Sequence, residues 1–310
     1  MGQKIIFDTD PGIDDAMAIL AALRSPEFDV IGLTTVFGNT DVDSCAMNGL
    51  RLVELEGNSH IPVAKGAGAP LVLSELNLGT QVHGLDGMGN IDLSKPSGKL
   101  DPRHGASFIV DMVRLHPHEV VLAPLGPLTN IALAIHQAPE IVSMVKQVVL
   151  MGGCIYGQGN ISPTAEANIF HDPHAAEVVF RANWDVVMLG LDVTTKIIIH
   201  PDNLTALYAG DNPAVDLLQK IQPCYQHFHD QIYGLNGSFH MHDPSVTAYL
   251  LNPGLFTCIE SPVYVATTGL CIGKTIADPH GLWGERKKTR IAMNANSKAV
   301  IELLIERLTS

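Results

Sequence analysis

The sequence predicts an α/β protein: an open, mostly parallel sheet with helices on both faces and a ligand site at the carboxyl ends of the strands. Three observations predict it. Short apolar runs alternate with helix-period segments through the first half of the chain, and the pattern recurs near Trp184. Acidic, amide and glycine residues gather where the apolar runs end. No linker rich in proline, glycine or serine divides the chain, so one domain spanning residues 1–310, with loop and helical insertions, is expected.

The elements follow in order. Ile5–Phe7 reads as a buried strand, and Asp15–Arg24 as a helix with Ala16, Ile19, Leu20 and Leu23 on one face. Val30–Val36 is a second strand, followed by a helix over about residues 43–56. Val120–Ala123 and Val148–Met151 are further strands, with a helix over Leu128–His136 between them, and residues 184–191 repeat the pattern. Strands alternating with helices need crossover connections, which give a Rossmann-like parallel sheet covered on both faces. Residues 66–102 read as polar surface loop, and residues 203–239 as helical but irregular.

Composition narrows the functions. With 310 residues and 46% hydrophobic content the chain can bury a large core, which excludes disorder. A net charge of −13 repels phosphate backbones, so nucleic acid is a poor partner. Cys45, Cys154, Cys224, Cys258 and Cys271 form no CxxC pair, which argues against a disulfide framework or zinc site and for a reducing compartment. The first residues reach acids after three apolar positions, unlike a signal peptide, and no apolar run approaches the roughly 18 residues that span a bilayer. A soluble, cytoplasmic protein with no membrane partner is expected.

In open parallel sheets ligands bind beyond the carboxyl ends of the strands. The first strand runs into Asp8-Thr9-Asp10-Pro11-Gly12-Ile13-Asp14-Asp15, four carboxylates within eight residues. Packing them together costs repulsion that a hard cation removes, and aspartate oxygens are what calcium or magnesium prefers. Acids also favour helix N-termini, but capping accounts for one or two of them, not four. The other strand ends carry Gly38-Asn39, the 124–130 segment Pro-Leu-Gly-Pro-Leu-Thr-Asn, and Met151-Gly152-Gly153. Asn160, Glu166 and Asn168 offer groups suited to a polyhydroxylated ligand, though a polar loop would look the same. His240-Met241-His242-Asp243 is a further candidate for metal or acid–base work, whereas His83 alone reads as a loop histidine.

Taken together, these segments resemble the inosine-uridine-preferring nucleoside hydrolase family, whose signature matches residues 8–16 and whose further motifs follow in order to about residue 250. The resemblance implies calcium-dependent cleavage of the N-glycosidic bond of ribonucleosides, with one calcium per subunit. Asp10, Asp15 and Asp243 would ligate it by side chain and Leu125 by its carbonyl, and Asp10 would also be the general base on a calcium-held water. Asp14, Asn39, Asn160, Glu166 and Asn168 would bind ribose hydroxyls, with Met151 lining the sugar pocket. His83 and His242 would face the nucleobase. His242 is the expected acid for the leaving base, since imidazole titrates near neutrality. The family commonly forms homotetramers, so a homo-oligomer is implied.

Base recognition is where the resemblance thins. The segment 224–233 would form a lid over the base. His229 and Tyr233 are four apart and share a helix face, as do Tyr225 and His229. His229 and Tyr233 are preferred as base contacts, against simple packing of the lid on the core. An inosine-uridine or pyrimidine preference is favoured, with the choice left open. Two other readings compete. In a phosphatase of haloacid dehalogenase type Asp8 would be the nucleophile, but Gly12 stands where that pattern wants threonine or valine. A calcium-dependent nucleoside-binding protein would hold its ligand intact. Cys154 lacks an evident base and reads as a small buried residue. Asp41 and Asp43 suggest no physical role in the site.

Overall fold

In the computed structural model, which describes residues 2–310, the apolar runs are strands. In chain order these are β1 (Gln3–Thr9), β2 (Phe28–Thr35), β3 (Val63–Lys65), β4 (Val121–Pro124), β5 (Gln147–Met151), β6 (Val186–Leu189), β7 (Ile198–Ile199), β8 (Phe239–His240), β9 (Phe256–Ser261), β10 (Val263–Val265), β11 (Thr275–Ala277) and β12 (Thr289–Ala295). Eight of them form one sheet in the order β3-β2-β1-β4-β5-β6-β12-β9. Every pairing in it is parallel except that of β12 with β9. This is the expected Rossmann-like sheet, with an antiparallel edge added by the C-terminal segments.

The strand order reverses at β1, which lies between β2 and β4. The connections from β1 and β4 leave in opposite directions, so a crevice opens beyond their carboxyl ends. The acidic segment that follows Phe7 is therefore carried to the switch point.

Burial on both faces explains why the runs are continuously apolar. Ile5 and Phe7, Val121 and Ala123, Val149 and Met151, and Val187 and Leu189 face one apolar layer. Ile6, Leu122, Val148, Leu150, Val186 and Met188 face the other. None of these residues is more than 3% exposed. Burying each such side chain contributes roughly 1.5–3 kcal/mol relative to leaving it in water. Helices Ile13–Leu23, Val42–Leu55, Pro213–Tyr233, Pro244–Leu251 and Ser297–Thr309 cover the first layer. Helices Gly105–Leu115, Thr129–Gln137 and Pro173–Arg181 cover the second.

Two expectations are revised. Residues 66–102 contain little regular structure, but they are not all surface: His83 and Met88 are buried. The Asn48 side chain draws this segment inward, donating to the Asp86 carbonyl at 2.8 Å and the Pro11 carbonyl at 3.0 Å. Residues 203–239 are not irregular. They hold most of helix Pro201–Tyr208 and all of the long helix Pro213–Tyr233, which runs through Pro223. Asp41 caps helix Val42–Leu55 by accepting the Asp43 and Ser44 amides, and Asp43 pairs with Lys65 at the surface. Both acids are thereby accounted for away from the crevice.

Gly32 on β2 lies directly under the Phe108 ring, which a β-carbon there would overlap. Gly32→Val is expected to destabilise the fold by about 1–3 kcal/mol through overpacking, read as a lower urea midpoint at unchanged slope.

Candidate active site

β1 delivers Asp8, Thr9 and Asp10 to the crevice. The Pro11-Gly12 turn then starts helix Ile13–Leu23, placing Asp14 and Asp15 in its first turn. Asp15 accepts the Gly12 amide at 3.0 Å, the Asn39 side-chain amide at 2.9 Å and the Thr9 hydroxyl. Asp10 Oδ2 accepts the Asn39 backbone amide at 2.7 Å, while its buried Oδ1 has no partner. Gly38 and Gly126 flank the Asp10 carboxylate so closely that a β-carbon on either would overlap it. Asp14 accepts the Tyr225 hydroxyl at 3.1 Å. Asp243, at the start of helix Pro244–Leu251, completes the floor. One oxygen from each of Asp14, Asp15 and Asp243 lies within 4.8 Å of the others.

Among the described residues no lysine or arginine pairs with any of these aspartates. Burial therefore disfavours their charged forms. The Asp10 and Asp243 carboxyls are held well above the usual range by burial and by the neighbouring aspartates. Burial pushes Asp14 up to about 6, and burial with the Asp14 charge raises Asp15. A bound hard cation would reverse this by supplying the missing charge, and the all-oxygen donor set with an unpartnered Asp10 oxygen fits one.

Above this floor lies a cleft of about 750 Å3, counting the open solvent at its mouth. Asp14, Asn39, His83, Leu125, Met151, Asn160, Glu166, Asn168, His229, Tyr233, His242 and Asp243 all line it. Asp10 and Asp15 do not; they are buried behind Asn39 and bonded to it. The residues singled out in the sequence are thus brought to one place.

The amides are held before any ligand arrives. The Asn168 side chain donates to the Leu125 carbonyl at 2.6 Å and the Met151 carbonyl at 3.2 Å. Asn39 spends its side-chain NH2 on Asp15 and on the Asp10 carbonyl. The Asn160 carbonyl oxygen accepts the Ala167 amide at 2.9 Å. Glu166 caps the short helix Ala167–His171 and accepts the Gly153 amide at 2.8 Å.

The imidazoles differ from expectation. His83 is buried rather than solvated: its Nδ1 accepts the Ile13 amide at 3.1 Å, and burial lowers its pKa to about 4. His242 touches the Thr194 hydroxyl through Nδ1 at 2.8 Å. Burial, and then the nearby His240, His229 and His83, hold His242 well below the ordinary imidazole value. The expectation that it titrates near neutrality is therefore corrected. It is a neutral ring, able to offer a hydrogen bond but not a standing positive charge.

Tyr225, His229 and Tyr233 form one stripe along helix Pro213–Tyr233, and all three face the cleft. The two pairings open in the sequence are therefore compatible. His229 is buried, while Tyr233 is 41% exposed at the rim. Sequence reasoning missed Phe228, His171 and Gln81 on the wall, and the bond from Tyr225 to Asp14. Thr9 and Thr194, which fix Asp15 and His242, gave no signal in the sequence. Cys154 is buried, and its thiol is pushed up to about 11 by burial and Asp192, which suits packing rather than nucleophilic attack. Asp8 points away from the cleft, accepting the Thr34 hydroxyl at 2.6 Å and the Asn130 amide at 2.7 Å, so it ties strands together and attacks nothing.

Carboxylates that are costly to bury, set beneath prearranged amides, suit a sugar ring on which positive charge develops, as in glycosidases. The sequence profile of the inosine-uridine preferring nucleoside hydrolases matches residues 5–302. A probable uridine nucleosidase 2 of Arabidopsis thaliana is 39% identical over 99% of this chain and 97% of its own. A solved plant nucleoside hydrolase superposes with a TM-score of 0.96 at 34% identity, covering 100% of both chains. A purine-preferring ribonucleoside hydrolase from Gardnerella vaginalis does so at 0.94 and 30% identity, covering 99% of this chain and 98% of its own. The chain belongs to the inosine-uridine preferring nucleoside hydrolase family, and its activity is the hydrolysis of ribonucleosides.

Because Asp10 fits between two glycines, Gly126→Ala should displace the carboxylate and press on the buried Val36 side chain. Turnover on uridine is expected to fall by about two orders of magnitude in the folded variant, as for roughly 1 Å misplacements elsewhere, with a lower thermal midpoint. Unchanged turnover would show that the position of Asp10 is not critical.

Proposed function

We propose that this protein is a calcium-dependent ribonucleoside hydrolase of inosine-uridine or pyrimidine preference, in which Asp10 is the general base. The observation that carries the proposal is the floor of Asp10, Asp14, Asp15 and Asp243, buried together with no lysine or arginine paired to them among the described residues. Asp10, Asp15, Asp243 and the Leu125 carbonyl would hold the calcium. When bound, the ion lowers the pKa of water and orients sugar hydroxyls.

The chain's own residues supply the rest. Cleavage of the C1′–N bond passes through an oxocarbenium-like state, and the fixed carboxylates and amide oxygens stabilise its positive charge. Asp10 accepts the proton of the attacking water at its unpartnered Oδ1. Asn39, Asn160 and Asn168 each commit one end of the amide to the scaffold, leaving the other for ribose hydroxyls, alongside Asp14 and Glu166. Met151 packs beside the sugar. His83, His229, Tyr233 and His242 face the base, and His242 eases its departure as a neutral donor from Nε2 when Thr194 donates to Nδ1. The Arabidopsis relative, a probable uridine nucleosidase, supports the pyrimidine reading, while the Gardnerella protein of the same fold is purine-preferring.

We also read residues 1–310 as one domain, and the protein as a cytoplasmic homotetramer. All five cysteines are free, and no helix among the described residues is long and apolar enough to cross a membrane.

The test is released sugar from inosine, uridine, cytidine, adenosine and 2′-deoxyuridine, with and without a calcium chelator. Release from ribonucleosides, lost on chelation and weak for the deoxy substrate, is expected. Asp10→Asn should lose about two or more orders of magnitude in turnover. Near-normal turnover in a folded, calcium-loaded variant would remove the base assignment. His242→Ala is expected to slow purine nucleosides more than uridine. Equal losses across the bases would remove its leaving-group role.

A further inference from the structure

At the base end of the cleft, the rings of His229, His240 and His242 converge. Their centroids lie 5.2 Å (229 to 240), 5.3 Å (240 to 242) and 6.4 Å (229 to 242) apart. One ring nitrogen from each lies within 4.8 Å of the other two. Three buried imidazoles facing one point is costly unless each has a partner, and two of them lack one. His229 Nε2 and His240 Nδ1 are buried without any hydrogen bond.

The outer nitrogens carry further information. His229 Nδ1 meets the Tyr225 carbonyl at 2.9 Å. A carbonyl can only accept, so Nδ1 carries the proton and Nε2 presents a bare lone pair. His242 Nδ1 meets Thr194, whose hydroxyl can accept as well as donate, so the Nε2 of His242 can likewise present a lone pair. An outer nitrogen bonded to a backbone oxygen or hydroxyl, with the inner one bare, is how metal-ligating histidines are held.

We propose that His229, His240 and His242 form a second metal site, for a zinc-like divalent transition cation, distinct from the carboxylate floor. Three neutral nitrogen donors suit zinc and its neighbours and are poor ligands for calcium. Zinc–nitrogen bonds of about 2.0–2.1 Å would draw the rings together by small rotations, with the fourth position open to the cleft. Occupancy would consume the two histidines placed on the nucleobase, so the cation would compete with substrate. That last step rests on the proposed placement of the base; the binding itself does not. His240 is the distinguishing residue, since it joins the cluster without lining the cleft.

The experiment uses untagged, calcium-loaded protein. Zinc is titrated by calorimetry, and cobalt is followed by visible absorption. One further site per chain is expected, with the intense bands of four-coordinate cobalt. His240→Asn should weaken zinc binding at least tenfold while keeping uridine hydrolysis near normal. Zinc should raise the KM for uridine in the native protein, with at least a tenfold smaller effect in the variant. If His240→Asn folds poorly, His229→Gln provides the same binding test. Zinc affinity unchanged in a folded variant, or a six-coordinate cobalt spectrum, would overturn the site by placing the metal on the aspartates. Zinc binding as described in a protein that cleaves no nucleoside would leave this site standing and remove only the proposed function.

Discussion

Asp14, Asp15 and Asp243 are buried around one point with Asp10 beside them, and among the described residues no lysine or arginine pairs with them. Mutual repulsion and lost hydration both act against this arrangement, and the surrounding structure is built to hold it. Asp10 is wedged between Gly38 and Gly126, which come from the ends of two different strands. Asp15 is pinned by Thr9, Gly12 and Asn39. A chain that spends so many bonds on unneutralised carboxylates is prepared for a cation and for a substrate that becomes positive.

The amides of the cleft obey the same logic. Asn39 and Asn168 donate to scaffold oxygens, and Asn160 accepts a scaffold amide. Each side chain is oriented before any ligand binds, so little entropy is lost in placing its remaining polar atom against one. Glu166 serves as helix cap and cleft wall together, which couples the position of its carboxylate to a short helix that could not stand alone.

The aromatic wall of the cleft is built differently. Tyr225, His229 and Tyr233 come from successive turns of one long helix, and His242 reaches them from the chain that follows. Burial lowers the pKa of His229 and His242, so these imidazoles offer hydrogen-bonding and stacking surfaces rather than charges. Tyr225 links the two sides, since its hydroxyl reaches Asp14 while its ring packs on His83 and His229 at 5.4 and 4.3 Å.

The sequence alone determined the parallel centre of the sheet, the family and many of the residues that meet in the cleft. Continuous apolar runs can only be strands covered on both faces, and polar residues at the ends of parallel strands have one crevice to enter. Asp8 shows where that reasoning stops: it stands in the same acidic run as Asp10, yet it lies within β1, where Thr34 and Asn130 hold its carboxylate away from the cleft. Only the tertiary structure decided which carboxylate faces the site, that His83 is buried, and that His242 is neutral. These depend on neighbours distant in the chain, Thr194 for His242 and Asn48 for the loop that carries His83. Burial and hydrogen-bond partners, not residue type, set the state of a titratable group, and neither can be read from its local sequence.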